Sequence, residues 1–307
     1  MTAWLVTGAT GLLGSNAALT LGETGTAVGT SRRVPLASPV PFIRSELQSA
    51  SSRRDLVARS GATAVFHAAA VSSIEACESD PLLARELNVT AAVDLALQAR
   101  DAGAAFVYIS TDAVFDGIGG GYAESSPTSP VSEYGRTKVD GEKAVLDAYP
   151  EALVARVNFY GWSPTAQRSI AEFFYHALKE GRSVNGFTDI VVSTLQVSYL
   201  VESIEELVSK NARGIIHVAS TESISKFDFG RSLAAEFGFD PRLVVQAVST
   251  DHLKHRRGSN LSMQSSAAEA ILGRPMPTQA SGLDRLRSEL RAGRARDVIQ
   301  FNPTIGS

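Results

Sequence analysis

The stretch Ala3-Trp-Leu-Val-Thr-Gly-Ala-Thr-Gly-Leu-Leu-Gly14 decides the fold of this chain. Residues 3–7 form a short apolar run typical of a buried strand, and an apolar helical pattern follows to about Leu21. Gly8 permits a tight turn, Gly11 lets backbone approach a ligand, and Gly14 lets the helix pack on the strand. This spacing differs from the commonest dinucleotide fingerprint. Its place directly after the first strand nevertheless predicts a pyrophosphate site at a helix N-terminus.

A second stretch, residues 107–143, carries groups suited to proton transfer. Ser110-Thr-Asp112 ends an apolar run, and Tyr134 is followed four residues later by Lys138. On a helix over residues 132–149, these two side chains lie one turn apart on the same face. We therefore expect the ammonium to lower the pKa of the phenol below its usual value of about 10, while the Thr111 hydroxyl holds a substrate oxygen. Such a phenol can exchange a proton with a carbinol oxygen, although Tyr-x-x-x-Lys alone is also common by chance.

Strand-like and helical patterns alternate along the chain. The predicted strands are residues 3–7, 26–30, 64–66, 105–110, 153–157 and an apolar run at 214–219, and the predicted helices are 53–60, 81–102, 132–149 and 166–180. Residues 31–52, with three prolines, are predicted to be a loop-rich connection. This alternation predicts an α/β fold, a doubly wound parallel sheet (Rossmann) that binds ligands at the carboxyl ends of its strands.

The periodicity loosens after residue 157, which suggests two parts. We expect a dinucleotide-binding Rossmann domain at residues 1–157, with later returns to the sheet near 190–219. A smaller C-terminal substrate-binding lobe is expected at residues 158–300, and a peripheral tail at 301–307.

Composition indicates a cytoplasmic enzyme. Lys and Arg number 29 against 32 Asp and Glu, so the formal net charge of −3 does not point to nucleic acid or a membrane surface. The chain has one cysteine, Cys77, which excludes an intramolecular disulfide and is interpreted as inert. No apolar run approaches the roughly 20 residues that span a bilayer, and residues 1–7 lack the basic region of a signal peptide.

The order of the motifs resembles the extended short-chain dehydrogenase/reductase family. The glycine loop is followed by His67-Ala-Ala-Ala70, Asn88, Ser110-Thr-Asp112 and the pair Tyr134 and Lys138. Within that family, Ile109-Ser-Thr-Asp-Ala-Val-Phe-Asp-Gly117 and Tyr134-Gly-Arg-Thr-Lys138 are most similar to the sugar-nucleotide reductases typified by dTDP-4-dehydrorhamnose reductase. The resemblance covers residues 3–160 well and the remainder loosely.

This resemblance implies a set of site residues. The catalytic residues implied are Thr111, Tyr134 and Lys138. The cofactor contacts implied are Gly8, Thr10, Gly11, Leu12, Leu13, Ser31, Arg32, Ala68, Ala69, Ala70, Tyr134 and Lys138. The substrate contacts implied are Asp112, Val114, Phe115, Asn158 and Arg257. Asn88 is expected to support the lysine through backbone and water, and no metal is expected.

The end of the second predicted strand bears on the cofactor. It reads Gly29-Thr-Ser-Arg-Arg33, without the carboxylate that usually binds the ribose hydroxyls of NAD. Ser31 and Arg32, with Arg33 as a further candidate, could instead hold a 2′-phosphate, because guanidinium pairs with phosphate bidentately. We therefore predict NADPH, with NADH as the alternative.

Ala113 limits the types of reaction that the chain can be expected to catalyse. The related sugar-nucleotide dehydratases carry a glutamate there as an acid or base, so dehydratase chemistry is not expected. We predict reduction of the keto group of a nucleotide-linked 4-keto-6-deoxysugar, as in rhamnose biosynthesis. A nucleotide-sugar epimerase of the same family and a non-catalytic NADP-binding regulatory subunit, like that of methionine adenosyltransferase, remain alternatives. The nucleotide, the sugar and the oligomer, with a homodimer as one option, stay open.

Overall fold

The computed structural model describes residues 1–251 and 258–304. Its strands are β1 (Ala3–Thr7), β2 (Thr26–Ser31), β3 (Phe42–Arg44), β4 (Ala64–His67), β5 (Ala105–Thr111), β6 (Leu153–Val157), β7 (Phe159–Tyr160), β8 (Val184–Phe187), β9 (Val191–Val192), β10 (Leu195–Gln196), β11 (Gly214–Val218), β12 (Ile224–Ser225) and β13 (Val244–Ala247).

The helices flank and connect these strands. They are α1 (Leu12–Thr24), α2 (Ala50–Arg53), α3 (Leu56–Ser60), α4 (Ile74–Ser79), α5 (Pro81–Arg85), α6 (Ala91–Asp101), α7 (Glu133–Ala148), α8 (Ile170–Lys179), α9 (Val197–Ser209), α10 (Lys226–Phe237), α11 (Ser266–Leu272), α12 (Gln279–Ala292) and α13 (Arg294–Ile299). A π-helical turn spans Glu86–Thr90, and 3-10 turns span Asp112–Val114, Pro241–Leu243 and Ser249–Asp251.

The central sheet has seven strands in the order β11-β6-β5-β4-β1-β2-β3, and every neighbouring pair is parallel. Apolar side chains of α1 and α9 cover one face, and those of α3, α6 and α7 cover the other. The strand order reverses between β1 and β4, which opens a crevice at their carboxyl ends. The predicted doubly wound parallel sheet is confirmed.

A smaller apolar core lies beside the sheet. It is built from the segment around Tyr160 and from α8, α10 and α12, with Phe174, Phe229 and Leu286 almost fully buried. The chain leaves this region to return to the main sheet, because α9 packs on α1 and β11 pairs with β6. The substrate side of the crevice therefore borders elements that are distant in sequence.

Several predicted boundaries differ from the structure. The predicted helix over residues 53–60 is broken because Asp55 has a left-handed φ of 53°. The predicted loop over residues 31–52 contains β3 and the start of α2, and the predicted helix over 81–102 contains the π-helical turn. Phe301, placed in a peripheral tail, is fully buried with its ring 6.0 Å from that of Phe42. Apolar contact with β3 holds this end of the chain in the core.

Within the described ranges, none of the helices has both the length and the apolar character that crossing a bilayer requires.

Candidate active site

A cavity of about 1030 Å³ lies at the carboxyl ends of the central strands. Every predicted catalytic and cofactor-contacting residue lines it, together with Asp112, Phe115 and Asn158. The structure thus brings residues from position 8 to position 158 to one surface. These placements do not by themselves assign roles to the side chains.

The glycine loop forms one end of the cavity. Gly8 has a left-handed φ of 66°, and a side chain there would place a Cβ 2.8 Å from Cα of Ala69. A Cβ on Gly14 would collide with the Gly8 carbonyl group. Helix α1 starts after Gly11 without a side-chain cap, so its first N–H groups remain available to an anion at the cavity. This geometry fits the pyrophosphate of a dinucleotide.

The next walls come from the ends of β2 and β4. Ser31 ends β2 and Arg32 follows it, Ala68 to Ala70 follow β4, and both groups line the cavity. The Thr7 hydroxyl accepts the Ala69 N–H at 3.1 Å and shares a 2.9 Å hydrogen bond with buried His67. Burial lowers the pKa of His67 to about 3, so this residue ties β1 to β4 as a neutral imidazole. Sequence reasoning missed residues 45–48 after β3, which also line the cavity.

Thr111 and Tyr134 meet in the middle of the cavity. The Thr111 hydroxyl donates to Asp112 Oδ1 at 3.0 Å, accepts the Ala113 N–H at 3.1 Å and hydrogen bonds to the Tyr134 phenol. Tyr134 stands in the first turn of α7, which Ser132 caps by accepting the Gly135 N–H. Burial raises the pKa of the Tyr134 phenol above its usual value, against the lower pKa we predicted from Lys138. The phenol is therefore held as a proton donor.

Lys138 has a neighbour that the sequence did not indicate, Tyr108. Its ammonium lies over the ring of Tyr108, 3.8 Å from the centroid. Burial lowers the pKa of Lys138 to about 7, and the carboxylate of Glu142 acts in the opposite direction. The aromatic face and the carboxylate on its own helix thus favour the charged form of this lysine, against the cost of burying it.

Glu142, one turn beyond Lys138, is the centre of a buried polar network that sequence reasoning did not assign. Arg156 donates to its two carboxylate oxygens at 2.9 and 2.7 Å, and the Ser110 hydroxyl donates to it at 2.5 Å. Only 3% of each side chain in the Glu142–Arg156 pair is exposed. The sequence did contain one indication of this role. Glu142 lies four residues after Lys138, just as Lys138 lies four residues after Tyr134, so all three share one helix face.

Three of the five predicted substrate contacts, Asp112, Phe115 and Asn158, line the cavity. Asn158 donates to Asp112 Oδ2 at 2.6 Å, and burial raises the pKa of Asp112 to about 6 despite its bonds to Asn158 and Thr111. The Phe115 ring lines the cavity and stacks on Tyr122. Val114 is misassigned, because it is fully buried in an apolar cluster instead of lining the cavity. Arg257 lies outside the described residues.

Asn88 and Cys77 sit behind the cavity. The Asn88 amide accepts the Val71 N–H at 2.9 Å and donates to the Val71 carbonyl and to the Thr137 hydroxyl. It therefore joins the loop after β4 to α7 directly. Burial raises the pKa of Cys77 to about 11, which agrees with an unreactive thiol. The described part of the chain contains no cluster of three or more potential metal ligands.

Two further groups of lining residues come from the C-terminal half. Ile190, Val192, Thr194 and Lys226 lie on the substrate side, and residues 165, 168–170 and 302–304 also reach the cavity. Neither group has a local sequence pattern that marks it as part of a site.

Comparisons with known proteins agree with this geometry. The family model for the RmlD substrate binding domain matches residues 1–292. A Haloferax volcanii protein named "Probable low-salt glycan biosynthesis reductase Agl14" is 32% identical over 289 residues, which cover 92% of this chain and 96% of the relative. The dTDP-4-dehydrorhamnose reductase of Mycobacterium tuberculosis is 32% identical over 215 residues, or 68% of this chain and 70% of the relative.

A further sequence relative and a solved structure are also similar to this chain. The methionine adenosyltransferase 2 subunit beta of Xenopus tropicalis is 31% identical over 244 residues, covering 76% of this chain and 71% of the relative. A solved dTDP-4-dehydrorhamnose reductase of Bacillus anthracis, in complex with NADP, superposes with a TM-score of 0.84 at 24% identity. That superposition covers 94% of this chain and 99% of the solved one, and it supports the fold.

Proposed function

We propose that this chain, which belongs to the RmlD substrate-binding domain family, reduces the keto group of a nucleotide-linked 4-keto-6-deoxysugar with NADPH. The chain is an NAD(P)-dependent oxidoreductase by its family. The identity of the sugar nucleotide, and a role in rhamnose or other deoxysugar biosynthesis in the cytoplasm, belong to the proposal.

One observation carries this function. The glycine loop, which suits a dinucleotide pyrophosphate, and the hydrogen-bonded pair Thr111 and Tyr134 line the same cavity. A carbonyl bound at Tyr134 can thus lie within reach of a cofactor held by the loop. Ala113, at the position where dehydratases carry a carboxylate, also lines this cavity and offers no acid or base.

The chain's own residues account for the proton side of the reaction. NADPH, when bound, supplies the hydride that reduces the carbonyl carbon. The Tyr134 phenol, hydrogen-bonded to Thr111 in the cavity, donates its proton to the carbonyl oxygen as negative charge develops there. Thr111, whose hydroxyl proton goes to Asp112, holds the phenol in place for this transfer, and Lys138 in its protonated form contributes positive charge at the same cavity as the phenolate forms.

NADPH is favoured over NADH by the end of β2. Ser31 and Arg32 line the cavity where an NAD-preferring protein usually carries a carboxylate. Glu46, which also lines the cavity, follows β3 instead. The complex of the B. anthracis relative with NADP agrees with this choice.

The function is tested by following the loss of NADPH absorbance with a panel of dTDP-, UDP-, GDP- and CDP-linked 4-keto-6-deoxysugars. We expect turnover with at least one of these nucleotide-linked sugars. In Tyr134→Phe the turnover rate should fall by about 10²–10⁴-fold, the usual contribution of a general acid. Tyr149→Phe is the matched control, because Tyr149 ends the same helix and its hydroxyl bonds to the Ala104 carbonyl away from the cavity. Full activity of Tyr134→Phe would refute the assigned role.

The similarity to methionine adenosyltransferase 2 subunit beta supports a second candidate, a regulatory subunit that binds NADP without turning over a sugar. Tight NADPH binding, no turnover across the panel and a stable stoichiometric complex with a synthetase would favour it. Turnover that disappears in Tyr134→Phe would exclude it as the main function.

A further inference from the structure

The C-terminal segment, residues 293–304, lies beyond the family model, yet part of it lines the cavity. Its first half is fixed to the dinucleotide-binding half of the molecule. Arg294 donates to Glu23 and to the Thr20 hydroxyl of α1, both at 2.6 Å, and Val298 and Phe301 are fully buried. These contacts fix the backbone just before residues 302–304, which line the cavity.

The position of Phe301 shows which end of the cavity the segment reaches. Its ring packs on Phe42 of β3, and Phe42 is paired with Gly29 of β2. Residues Ser31 and Arg32, at the end of β2, line the same cavity as residues 302–304. Strand β5, which carries Thr111, is four strands from β3, or roughly 19 Å at about 4.8 Å per strand. The segment therefore approaches the cavity from the β3 edge of the sheet, the side on which β2 ends at Ser31 and Arg32.

Asn302 connects this segment to a second wall of the cavity. Its amide donates to the Pro164 carbonyl at 3.2 Å, while its carbonyl oxygen accepts both the N–H and the hydroxyl of Thr304, at 3.0 and 2.8 Å. The loop after Pro164 carries Arg168, which lines the cavity and whose N–H donates to Glu172 at 2.9 Å. Asn302 thus holds together the chain end and the loop that presents Arg168.

We infer that residues 302–304 form the wall of the cofactor site at the adenosine 2′-phosphate end, with Asn302 as a positioning residue for the Arg168 loop. The ligand class is a phosphate monoester on an adenosine ribose, which Arg32 at the end of β2 can meet with its guanidinium group. This inference rests on the proposed function, because it takes the cavity to be the NADPH site.

The test compares two truncated chains with the full chain. The first ends at Phe301 and so keeps the buried ring; the second ends at Thr304 and is the matched control. We expect the first to bind NADPH and 2′,5′-ADP about tenfold more weakly than the second, corresponding to one or two lost hydrogen bonds. The affinity of this chain for NADH should fall less, so the ratio of its NADPH affinity to its NADH affinity should be smaller than in the control. Binding of dTDP and the other nucleoside diphosphates should not change.

The outcomes separate this inference from the proposed function. If the full chain fails to bind NADPH, the proposed function fails. If the full chain binds NADPH and both truncated chains bind it equally well, only the wall assignment is overturned. If the chain ending at Phe301 does not fold, as judged by thermal unfolding without cofactor, Asn302→Ala decides: a loss of NADPH preference supports the inference, and an unchanged preference overturns it.

Discussion

Asp112 illustrates how much chemistry a single buried residue can control. The ionised carboxylate accepts the Thr111 hydroxyl proton, which leaves a Thr111 lone pair for the Tyr134 O–H. Burial raises the pKa of Asp112 to about 6. Protonation below that pH places a competing hydrogen on the carboxyl group and disturbs the donor order in the site. The position of Asp112 was predictable from sequence, but its raised pKa follows only from its burial.

We therefore expect kcat/KM to fall as the pH drops below about 6, approaching tenfold per pH unit for a single essential ionisation. Asp112→Asn should have a lower plateau and lack this inflection, since the amide does not titrate. Asp140→Asn, an exposed change on α7, should keep the wild-type profile. The same inflection in Asp112→Asn would assign it to another group.

Arg32 and Arg33 offer an adjacent pair with different surroundings. Both are exposed, but Arg32 lines the cavity whereas Arg33 is not among its lining residues. We predict that Arg32→Ala raises the KM for NADPH by about 10–100-fold, the range of a charge-assisted hydrogen bond, with little effect on the KM for NADH. Arg33→Ala should change neither constant. If the two substitutions raised the KM for NADPH equally, the arginines would act through their general positive charge and not through a specific contact of Arg32 with the 2′-phosphate.

At the scale of elements, β5 and α7 build the catalytic face together. Tyr108 and Ser110 lie two residues apart on one face of β5, and they meet Lys138 and Glu142, four residues apart on α7. Two strand residues and one helical turn span similar lengths, about 6.6 and 5.4 Å, so the two rows can pair. The periodicity of each element was readable from sequence, whereas the register between them depends on packing. For this reason Tyr134 and Lys138 were found, and the roles of Tyr108 and Glu142 were not.

The Glu142–Arg156 pair should matter more for folding than any exposed ion pair on α7. Glu142→Gln leaves the buried Arg156 guanidinium without its carboxylate, which we expect to lower the free energy of unfolding by about 3–5 kcal/mol. Asp140→Asn breaks the exposed pair with Arg85 on the same helix and should cost at most about 1 kcal/mol. Urea denaturation of both variants measures the difference. Similar losses would mean that water reaches the Glu142 network.

At the scale of the whole molecule, the parallel sheet was predictable because its strands are short, apolar and separated by helical patterns. The assembly of the smaller lobe was not, since β8 pairs with β13 and β9 with β12 across long sequence separations. Short two-residue strands such as β9 also carry too little periodicity to be recognised. The residues that line the central part of the cavity could therefore be predicted from sequence, while those of its substrate-side walls required the structure.

Lys138 links the site to the stability of the entire fold. Its pKa is about 7 in the folded protein and near the usual value of about 10.4 in the unfolded chain. Between these values the unfolded chain holds one more proton, so the free energy of unfolding should rise with pH, by at most about 1.4 kcal/mol per pH unit from this residue. Below about pH 7 both states are protonated and its contribution is constant.

This sign can be checked in the cofactor-free protein by urea denaturation at several pH values from 6 to about 9.5. The difference in the free energy of unfolding between wild type and Lys138→Met should stay flat up to about pH 7 and then grow in favour of wild type. Lys143→Met, which removes an exposed lysine from the same helix, should give a difference that does not vary with pH. A flat difference for Lys138→Met would show that Tyr108 and Glu142 keep the lysine charged, since their stabilisation would then outweigh the cost of burial.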